Sequence, residues 1–289
     1  MYTLFTDTDT DITPELAKKY GYKLISMPYR IGDEEIYPYV DFETFDYHKF
    51  YDLLRSGVLP TTSGLSPQQY IDYFEPEFKK GNDVLYVHFS GAMSGTFDAM
   101  RIAINDLEER YPERKVYTVD TLGITLGSYI ICLEIGEMHL KGASIEEILQ
   151  WADDEVQKYA VYFYADDLKF FARSGRVSGL AAFFGGIVGI KPILTMNSEG
   201  KMVTHGKVRG RKNTLNRLVE LVSELEDNIK DHRVVITHAD CKDLALTLGG
   251  MIKDKFGNDI KIEYGVVNPT AGSHCGPDTL GIGFHAIHR

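Results

Sequence analysis

The sequence predicts an α/β protein built from two domains. In the first half of the chain, short apolar runs alternate with longer stretches of helical periodicity, which is typical of parallel strands joined by right-handed helical crossovers. The 289 residues exceed the roughly 100–200 that one core usually holds. After residue 158 the pattern changes to an apolar strand, a glycine-rich window and a β-hairpin. We therefore predict an N-terminal domain at 1–158 and a C-terminal α/β domain at 159–289.

The N-terminal domain is predicted to carry helices on both faces of a parallel sheet. Its predicted strands are Tyr2–Thr6, Leu24–Tyr29, Val84–Phe89 and Val116–Val119. Its predicted helices begin at Thr13-Pro14 and continue with Phe45–Arg55, Gln68–Lys79, Gly95–Arg110, Leu122–Lys141 and Ser144–Tyr159. Thr13-Pro14 and Ser66-Pro67 are clear helix starts, because the hydroxyl accepts from an unpaired N–H and proline has no N–H to leave unpaired.

The C-terminal domain begins with a strand at Val161–Ala165 and a hairpin. The hairpin strands are Ile193–Asn197 and Met202–Gly206, joined by a polar turn. The remaining predicted elements are the helices Asn213–Leu225 and Lys242–Lys255 and the strands Arg233–His238, Ile260–Val266 and Gly281–His285. The most apolar window, Val177–Ile190, holds four glycines and is shorter than the roughly 20 apolar residues of a membrane span. We therefore predict no integral membrane association.

The composition of the chain argues against one class of function and indicates a cellular compartment. The net charge of −11 argues against nucleic-acid binding, which needs a basic surface. The three cysteines are widely spaced and odd in number, which fits a reducing compartment. No basic segment followed by a long apolar one is visible at the N-terminus. We expect a cytoplasmic protein.

Two hydroxyl-rich turns each run directly into a predicted helix. They are Pro60-Thr61-Thr62-Ser63-Gly64-Leu65-Ser66-Pro67 and Ser90-Gly91-Ala92-Met93-Ser94-Gly95-Thr96-Phe97. A helix start offers unpaired N–H groups and the positive end of the helix dipole, and a neighbouring hydroxyl adds a neutral donor. Two such starts facing each other would hold a small anion, either a carboxylate or a phosphate. The simpler alternatives are a polar loop for the first turn and an N-cap role alone for Ser94.

Two charged segments also have alternative interpretations. Asp7-Thr8-Asp9-Thr10-Asp11 resembles the start of a calcium loop, but Ile12 and Lys18 replace the required glycine and bidentate acid, so we predict no metal. The loop still lies at the carboxyl edge of the sheet, where a supporting role in a ligand site stays open. Lys207–Lys212 is a dense basic patch that predicts either a solvated loop or a surface for an acidic or phosphorylated partner.

Ser94 and His274 suggest an enzyme as the rival class. A serine esterase or acyl-transfer enzyme would use Ser94 as nucleophile and His274 as base. The serine does not fit the nucleophile elbow G-x-S-x-G, because Ala92 stands where glycine is required. His274 lies in a glycine-rich segment that we predict to be a loop, where its ring could instead pair with an anion.

Eight short motifs together resemble the DegV family of fatty-acid-binding proteins. They match that family's pattern in order and cover essentially the whole chain. The motifs are Thr6-Asp7-Thr8, Pro60-Thr61-Thr62-Ser63, Ser94-Gly95-Thr96, Val119-Asp120-Thr121, Arg173-Ser174-Gly175-Arg176-Val177-Ser178, Ile190-Lys191-Pro192-Ile193-Leu194, Lys207-Val208-Arg209-Gly210 and His274-Cys275-Gly276-Pro277. Two positions depart from the pattern: Thr8-Asp9, where serine is common after the aspartate, and Gly64, where glutamine is frequent.

The resemblance implies a Rossmann-like N-terminal domain and a ligand in the cleft between the two domains. It implies a carrier, not an enzyme, that binds a long-chain fatty acid such as palmitate without a cofactor and presents it to the catalytic protein of a bacterial fatty-acid kinase for conversion to acyl phosphate. The residues expected to hold the carboxylate are Thr62, Ser63, Ser94 and His274, with Arg176 or Arg209 as the basic residue. The apolar window Val177–Ile190 is then a candidate tunnel wall or lid, against the simpler alternative of a buried helix.

Overall fold

The computed structural model describes residues 1–178 and 190–289. Its strands are β1 (Tyr2–Asp7), β2 (Tyr22–Ile25), β3 (Tyr29–Ile31), β4 (Glu34–Ile36), β5 (Thr61–Thr62), β6 (Asp83–His88), β7 (Val116–Asp120), β8 (Tyr159–Tyr164), β9 (Val177–Ser178), β10 (Ile190–Met196), β11 (Met202–Arg209), β12 (Arg233–His238), β13 (Lys261–Val266) and β14 (Leu280–His285). Its α-helices are α1 (Pro14–Tyr20), α2 (Tyr47–Arg55), α3 (Pro67–Lys79), α4 (Thr96–Arg110), α5 (Leu126–Leu140), α6 (Ile145–Glu155), α7 (Leu168–Ser174), α8 (Arg211–Leu225), α9 (Lys242–Phe256) and α10 (Pro269–Cys275). Part of the predicted apolar window, residues 179–189, lies outside the described residues.

The first sheet is parallel and has the order β2-β1-β6-β7. Alternate side chains of β1 point to opposite faces: Leu4 packs into a core shared with α1, α5 and α6, and Phe5 packs into a core shared with α3 and α4. Helices therefore cover both faces, and the predicted α/β class is confirmed.

The second sheet is mixed and has the order β13-β12-β14-β8-β10-β11-β9. Its β10–β11 pair is the predicted antiparallel hairpin. Helices α8 and α9 pack on one face, while α5 packs on the other against β8, β12 and β14. Ten of the fifteen residues of α5 are buried, as expected for a helix that lies between two sheets and has no polar face.

The predicted strand Leu24–Tyr29 is wrong in its extent, because the structure divides this segment between β2 and β3. The backbone N–H of Ser26 donates to the hydroxyl of Tyr73, and that of Met27 donates to Thr8 Oγ1. Pro28 has no N–H to donate. Three successive residues thus give no N–H to a strand ladder, and the chain turns into a separate three-stranded sheet, β4-β3-β5.

The basic patch Lys207–Lys212 is not the loop predicted as one of its alternatives. Strand β11 continues through Arg209, and α8 begins at Arg211 after a single residue, Gly210, which has a φ of +83°. Lys207 and Arg209 are exposed and alternate with half-buried neighbours, which is the pattern of a strand with one face in water.

The strands of the first sheet all come from residues 2–120, and those of the second sheet come from residues 159–285. A division between 158 and 159 would therefore separate the two sheets, but α5 shares a core with Leu4 of the first sheet and also packs against β8, β12 and β14 of the second. The predicted domain boundary stays a prediction.

Candidate functional site

A cavity lies where the carboxyl ends of the first sheet meet the α5-facing side of the second sheet. The space between its lining atoms is about 980 Å³, a volume that includes the solvent at its open mouth. Loops that follow β1 and β6 contribute to it, as the edge rule for open α/β sheets predicts. Five of the six residues predicted to bind an anion line this cavity: Thr62, Ser63, Ser94, Arg176 and His274. Much of the remaining lining is apolar and includes Phe89, Met93, Phe163, Phe171, Met202 and Val267.

The two hydroxyl-rich turns lie against each other at this cavity. The backbone N–H of Leu65 donates to Thr96 Oγ1 at 2.9 Å. A Cβ added to Gly64 would lie 3.1 Å from Thr96 Cβ, so the glycine allows an approach that a side chain would crowd. The departure of Gly64 from the family pattern is thus compatible with the contact between the turns.

His274 contacts the first hydroxyl-rich turn directly, since its Nε2 lies 2.8 Å from Thr62 Oγ1. Burial, assisted by the positive charges of Arg176 and Arg173, lowers the pKa of His274 to about 4. The ring is therefore neutral at pH 7 and can donate one N–H. If Nε2 carries that proton, it donates to Thr62, and the threonine hydroxyl keeps its own proton for a ligand.

His274 belongs to a helix, so its prediction as part of a loop is wrong. Asn268 caps α10 by accepting from the Ala271 N–H at 2.9 Å, and Pro269 occupies the first turn. Asp11 Oδ1 accepts from both the backbone N–H and the side-chain amide of Asn268, at 2.9 and 2.8 Å. The acidic loop after β1 thereby anchors the helix that carries His274. The Asn268-Pro269 pair is the same start signal that located α1, but the glycines that follow it concealed the helix.

Ser94 accepts a hydrogen bond from the Thr96 N–H at 3.2 Å. This contact is a local turn just before α4, whose N-cap residue is Gly95 and which has no side-chain cap, and it leaves the hydroxyl proton of Ser94 available to an acceptor in the cavity. Ser63 differs, because its hydroxyl already donates to Glu35 Oε1 at 2.7 Å. Ser63 lines the cavity, but its hydroxyl would have to give up the hydrogen bond to Glu35 before it could donate to a ligand there.

The structure separates the two candidate basic residues. Arg176 lines the cavity, and one of its guanidinium nitrogens donates to the carbonyl of Ser174 at 2.7 Å. Arg209 is exposed on β11 and is not a lining residue. Arg173, which was not predicted as a ligand, donates to the carbonyls of Leu59 and Pro60. It therefore ties α7 to the segment that leads into the first hydroxyl-rich turn.

The acidic loop is buried beside the cavity. Asp7 Oδ2 accepts from the hydroxyl of Tyr86 at 2.9 Å and from the Phe89 N–H at 3.2 Å. Burial raises the pKa of Asp7 and of Asp11 to about 7. Among the described residues, no group of three or more His, Cys, Asp or Glu side chains is placed to hold a metal ion.

Comparisons with known proteins place the chain in a family. A family model described as "Uncharacterised protein, DegV family" matches residues 1–286. A DegV domain-containing protein of Clostridium perfringens is 33% identical over 284 residues, which cover 98% of this chain and 97% of the relative. The chain belongs to the DegV family.

Solved structures share the fold over nearly the full length. A stearic acid-binding protein from Eubacterium ventriosum aligns with a TM-score of 0.86 at 20% identity, covering 98% of this chain and 97% of that one. The DegV fatty-acid-binding protein of Bacillus subtilis aligns with a TM-score of 0.81 at 24% identity, covering 99% of each chain. No helix in the described part of the chain has the length and apolar character needed to cross a membrane.

Proposed function

We propose that this protein binds one long-chain fatty acid, such as palmitate, in the cavity between the two sheets. The observation that carries the proposal is the composition of the cavity wall, which combines hydroxyl and imidazole groups with many aromatic and aliphatic side chains. A fatty acid likewise combines a polar head with an apolar chain. Two structural neighbours are themselves named as fatty-acid-binding proteins.

The carboxylate is held, in this proposal, by Thr62 and Ser94, with Arg176 as the cationic partner. The Thr62 proton is available when His274 Nε2–H donates to the threonine oxygen, and the Ser94 proton has no competing acceptor among the described residues. Burying about 14 methylenes at roughly 0.8 kcal/mol each contributes more than about 10 kcal/mol before the costs of binding are subtracted. The tail therefore supplies most of the affinity, and the head group mainly fixes orientation.

Native mass spectrometry of the purified protein, followed by lipid extraction, tests this function. We expect a mass increment of one fatty acid per chain and its recovery in the extract. After delipidation, added palmitate should bind at one equivalent. If no fatty acid is recovered and the delipidated protein takes up no palmitate, the proposal is wrong.

The contacts favour a carrier over a serine esterase. His274 Nε2 is engaged with Thr62, not with Ser94, and the low pKa of His274 makes its ring a weak base. We therefore expect no labelling of Ser94 by a fluorophosphonate probe. Stoichiometric labelling at Ser94 would instead favour the enzyme.

The bound acid is presented, in this proposal, to the catalytic protein of a fatty-acid kinase. Lys207 and Arg209 project from β11 as exposed positive charges on a protein of net charge −11, which suits an acidic partner surface. The double charge reversal Lys207→Glu with Arg209→Glu should leave palmitate binding unchanged and reduce kinase-dependent phosphorylation at least tenfold. The matched control reverses two charges on α9, Lys242→Glu with Lys255→Glu, and should leave phosphorylation unchanged. Equal rates in both variants would remove this surface from the proposal.

A further inference from the structure

One wall of the cavity carries a buried carboxyl group that has no hydrogen-bond partner. Asp9 is only 6% exposed and lines the cavity. Its Oδ1 atom is fully buried without a partner, and no hydrogen bond reaches its other carboxyl oxygen from the described residues. Burial, together with the neighbouring charges of Asp7 and Asp11, raises the pKa of Asp9 well above its usual range. A buried polar group in this condition costs free energy unless a ligand or water pairs with it.

Two threonines on the cavity wall also make no side-chain hydrogen bond to the described residues, although their hydroxyls are not among the fully buried atoms that lack a partner. Thr125 and Thr237 are 8% and 1% exposed, both line the cavity, and neither hydroxyl has a hydrogen-bond partner in the part of the chain that is described. Other threonines on the same wall are satisfied: Thr270 donates to the carbonyl of Met27 at 2.7 Å, and Thr279 donates to the carbonyl of Cys275 at 2.9 Å. The lack of partners is therefore specific to a few positions.

We define an inner polar group that consists of Asp9, Thr125 and Thr237. Its residues lie near the start of α5. The Thr125 N–H donates to the carbonyl of Asp9 at 2.9 Å. Leu126, the next residue, lies 3.2 Å from the position that a Cβ on Gly281 would occupy, and Gly281 is the ladder partner of Thr237. These elements differ from those that carry Thr62, Ser94 and His274, so the inner polar group is a second polar region of the same cavity.

We propose that the inner polar group is a subsite for a hydroxyl group on the acyl chain, so that the protein accepts hydroxylated long-chain fatty acids as ligands. A hydroxyl both donates and accepts. It can donate to Asp9 while accepting from a threonine, or accept from Asp9 when that carboxyl is protonated. A plain methylene chain offers no hydrogen bond to any of the three groups. This inference rests on the proposed function, since it assumes that the cavity holds a fatty acid.

A panel of monohydroxystearates with the hydroxyl at different carbons tests the subsite against stearate. We expect one positional isomer to bind at least fivefold more tightly than stearate, because only one carbon can lie beside the inner polar group. The Asp9→Leu variant should bind stearate at least as well as the wild type and lose this preference, while Asp9→Asn should retain part of it. Thr237→Val should also reduce the preference and serves as the second variant if Asp9→Leu does not fold.

Three results would overturn the inference. In the first, stearate binds but no isomer exceeds it, which means that the inner polar group pairs only with water. In the second, the preference survives in both Asp9→Leu and Thr237→Val. Each of these results leaves the proposed fatty-acid function standing. In the third, neither stearate nor any hydroxystearate binds, and the proposed function is then wrong as well.

Discussion

Thr62 is the residue at which the two halves of the proposed head-group site meet. It belongs to β5 in the first half of the chain, and its hydroxyl contacts His274 on α10 near the other end. We expect Thr62→Val to weaken palmitate binding about tenfold or more, because a hydrogen bond to a charged group contributes roughly 1.5–3 kcal/mol. Isothermal titration with delipidated protein measures the change.

Thr61→Val is the matched control for Thr62→Val. Thr61 is the preceding residue of the same short strand, but it is exposed and does not line the cavity. Both variants replace threonine by valine at a β position, so a general effect on β5 would appear in both of them. Equal losses of affinity would contradict a specific role for the Thr62 hydroxyl.

His274 provides a prediction about pH. Its pKa of about 4 in the folded protein lies below the value of about 6.5 in an unfolded chain. Between these values the unfolded state binds more protons, so the stability contributed by the neutral ring is fully present above about pH 6.5 and is lost as the pH falls toward 4. An NMR titration should give a His274 midpoint near 4, and His274→Gln should reduce the loss of unfolding free energy over this range. A midpoint at 6 or above would contradict the burial of a neutral ring.

At the scale of elements, close packing of β14 against α5 shapes the inner part of the cavity. A Cβ on Gly281 would lie 2.7 Å from Phe163 Cβ and 3.2 Å from Leu126 Cδ1. We expect Gly281→Ala to lower the free energy of unfolding by about 1–3 kcal/mol, since overpacking forces neighbouring side chains to shift. Gly206→Ala on β11, where nothing lies within 4 Å of an added Cβ, is the control and should change stability by about 0.5 kcal/mol or less. Thermal or denaturant unfolding measures both variants. Equal free energies of unfolding for Gly281→Ala and Gly206→Ala would contradict this packing.

The sequence predicted elements where local chemistry determines the backbone. Thr13-Pro14 and Ser66-Pro67 located the starts of α1 and α3, and the structure confirms both caps. The sequence prediction was wrong where contacts between residues far apart in the chain determine the local backbone. The end of β2 depends on Tyr73 and Thr8, which take N–H groups that a longer strand would have used, and α10 is held by Asp11, far away in the chain. No local pattern encodes such pairings.

The candidate site was more predictable in its residues than in its hydrogen bonds. The family motifs selected six residues as candidates, and five of them line one cavity while Arg209 does not: Thr62, Ser63, Ser94, Arg176 and His274. The sequence did not indicate that Ser63 would donate to Glu35 or that His274 would contact Thr62, because these bonds depend on how β3, β4, β5 and α10 pack together. Nor did it indicate that Asp9 would be left without a partner.

At the scale of the whole molecule, α5 links the two halves of the chain by packing against both of them. One side of the helix packs on the first half, where Gly136 allows the ring of Tyr20 to lie close and Cys132 accepts a hydrogen bond from Tyr22. Its other side packs on the second sheet, where Gly127 faces Val161. A fragment that ends at residue 158 would expose an apolar helix face, and an exposed patch of that kind favours association and loose packing.

We therefore expect residues 1–158, expressed alone, to bind the dye ANS and to unfold without a sharp thermal transition, although the predicted domain boundary lies at that point. The full chain is the reference and should unfold cooperatively. Co-expression of residues 1–158 with 159–289 is the matched control. If the fragment loses cooperative unfolding because one face of α5 is uncovered, the second fragment should restore a sharp thermal transition and reduce ANS binding. A fragment 1–158 that melts as cooperatively as the full chain would contradict this dependence. The two halves would then be independent domains, and the cavity between them would form by docking of two folded units.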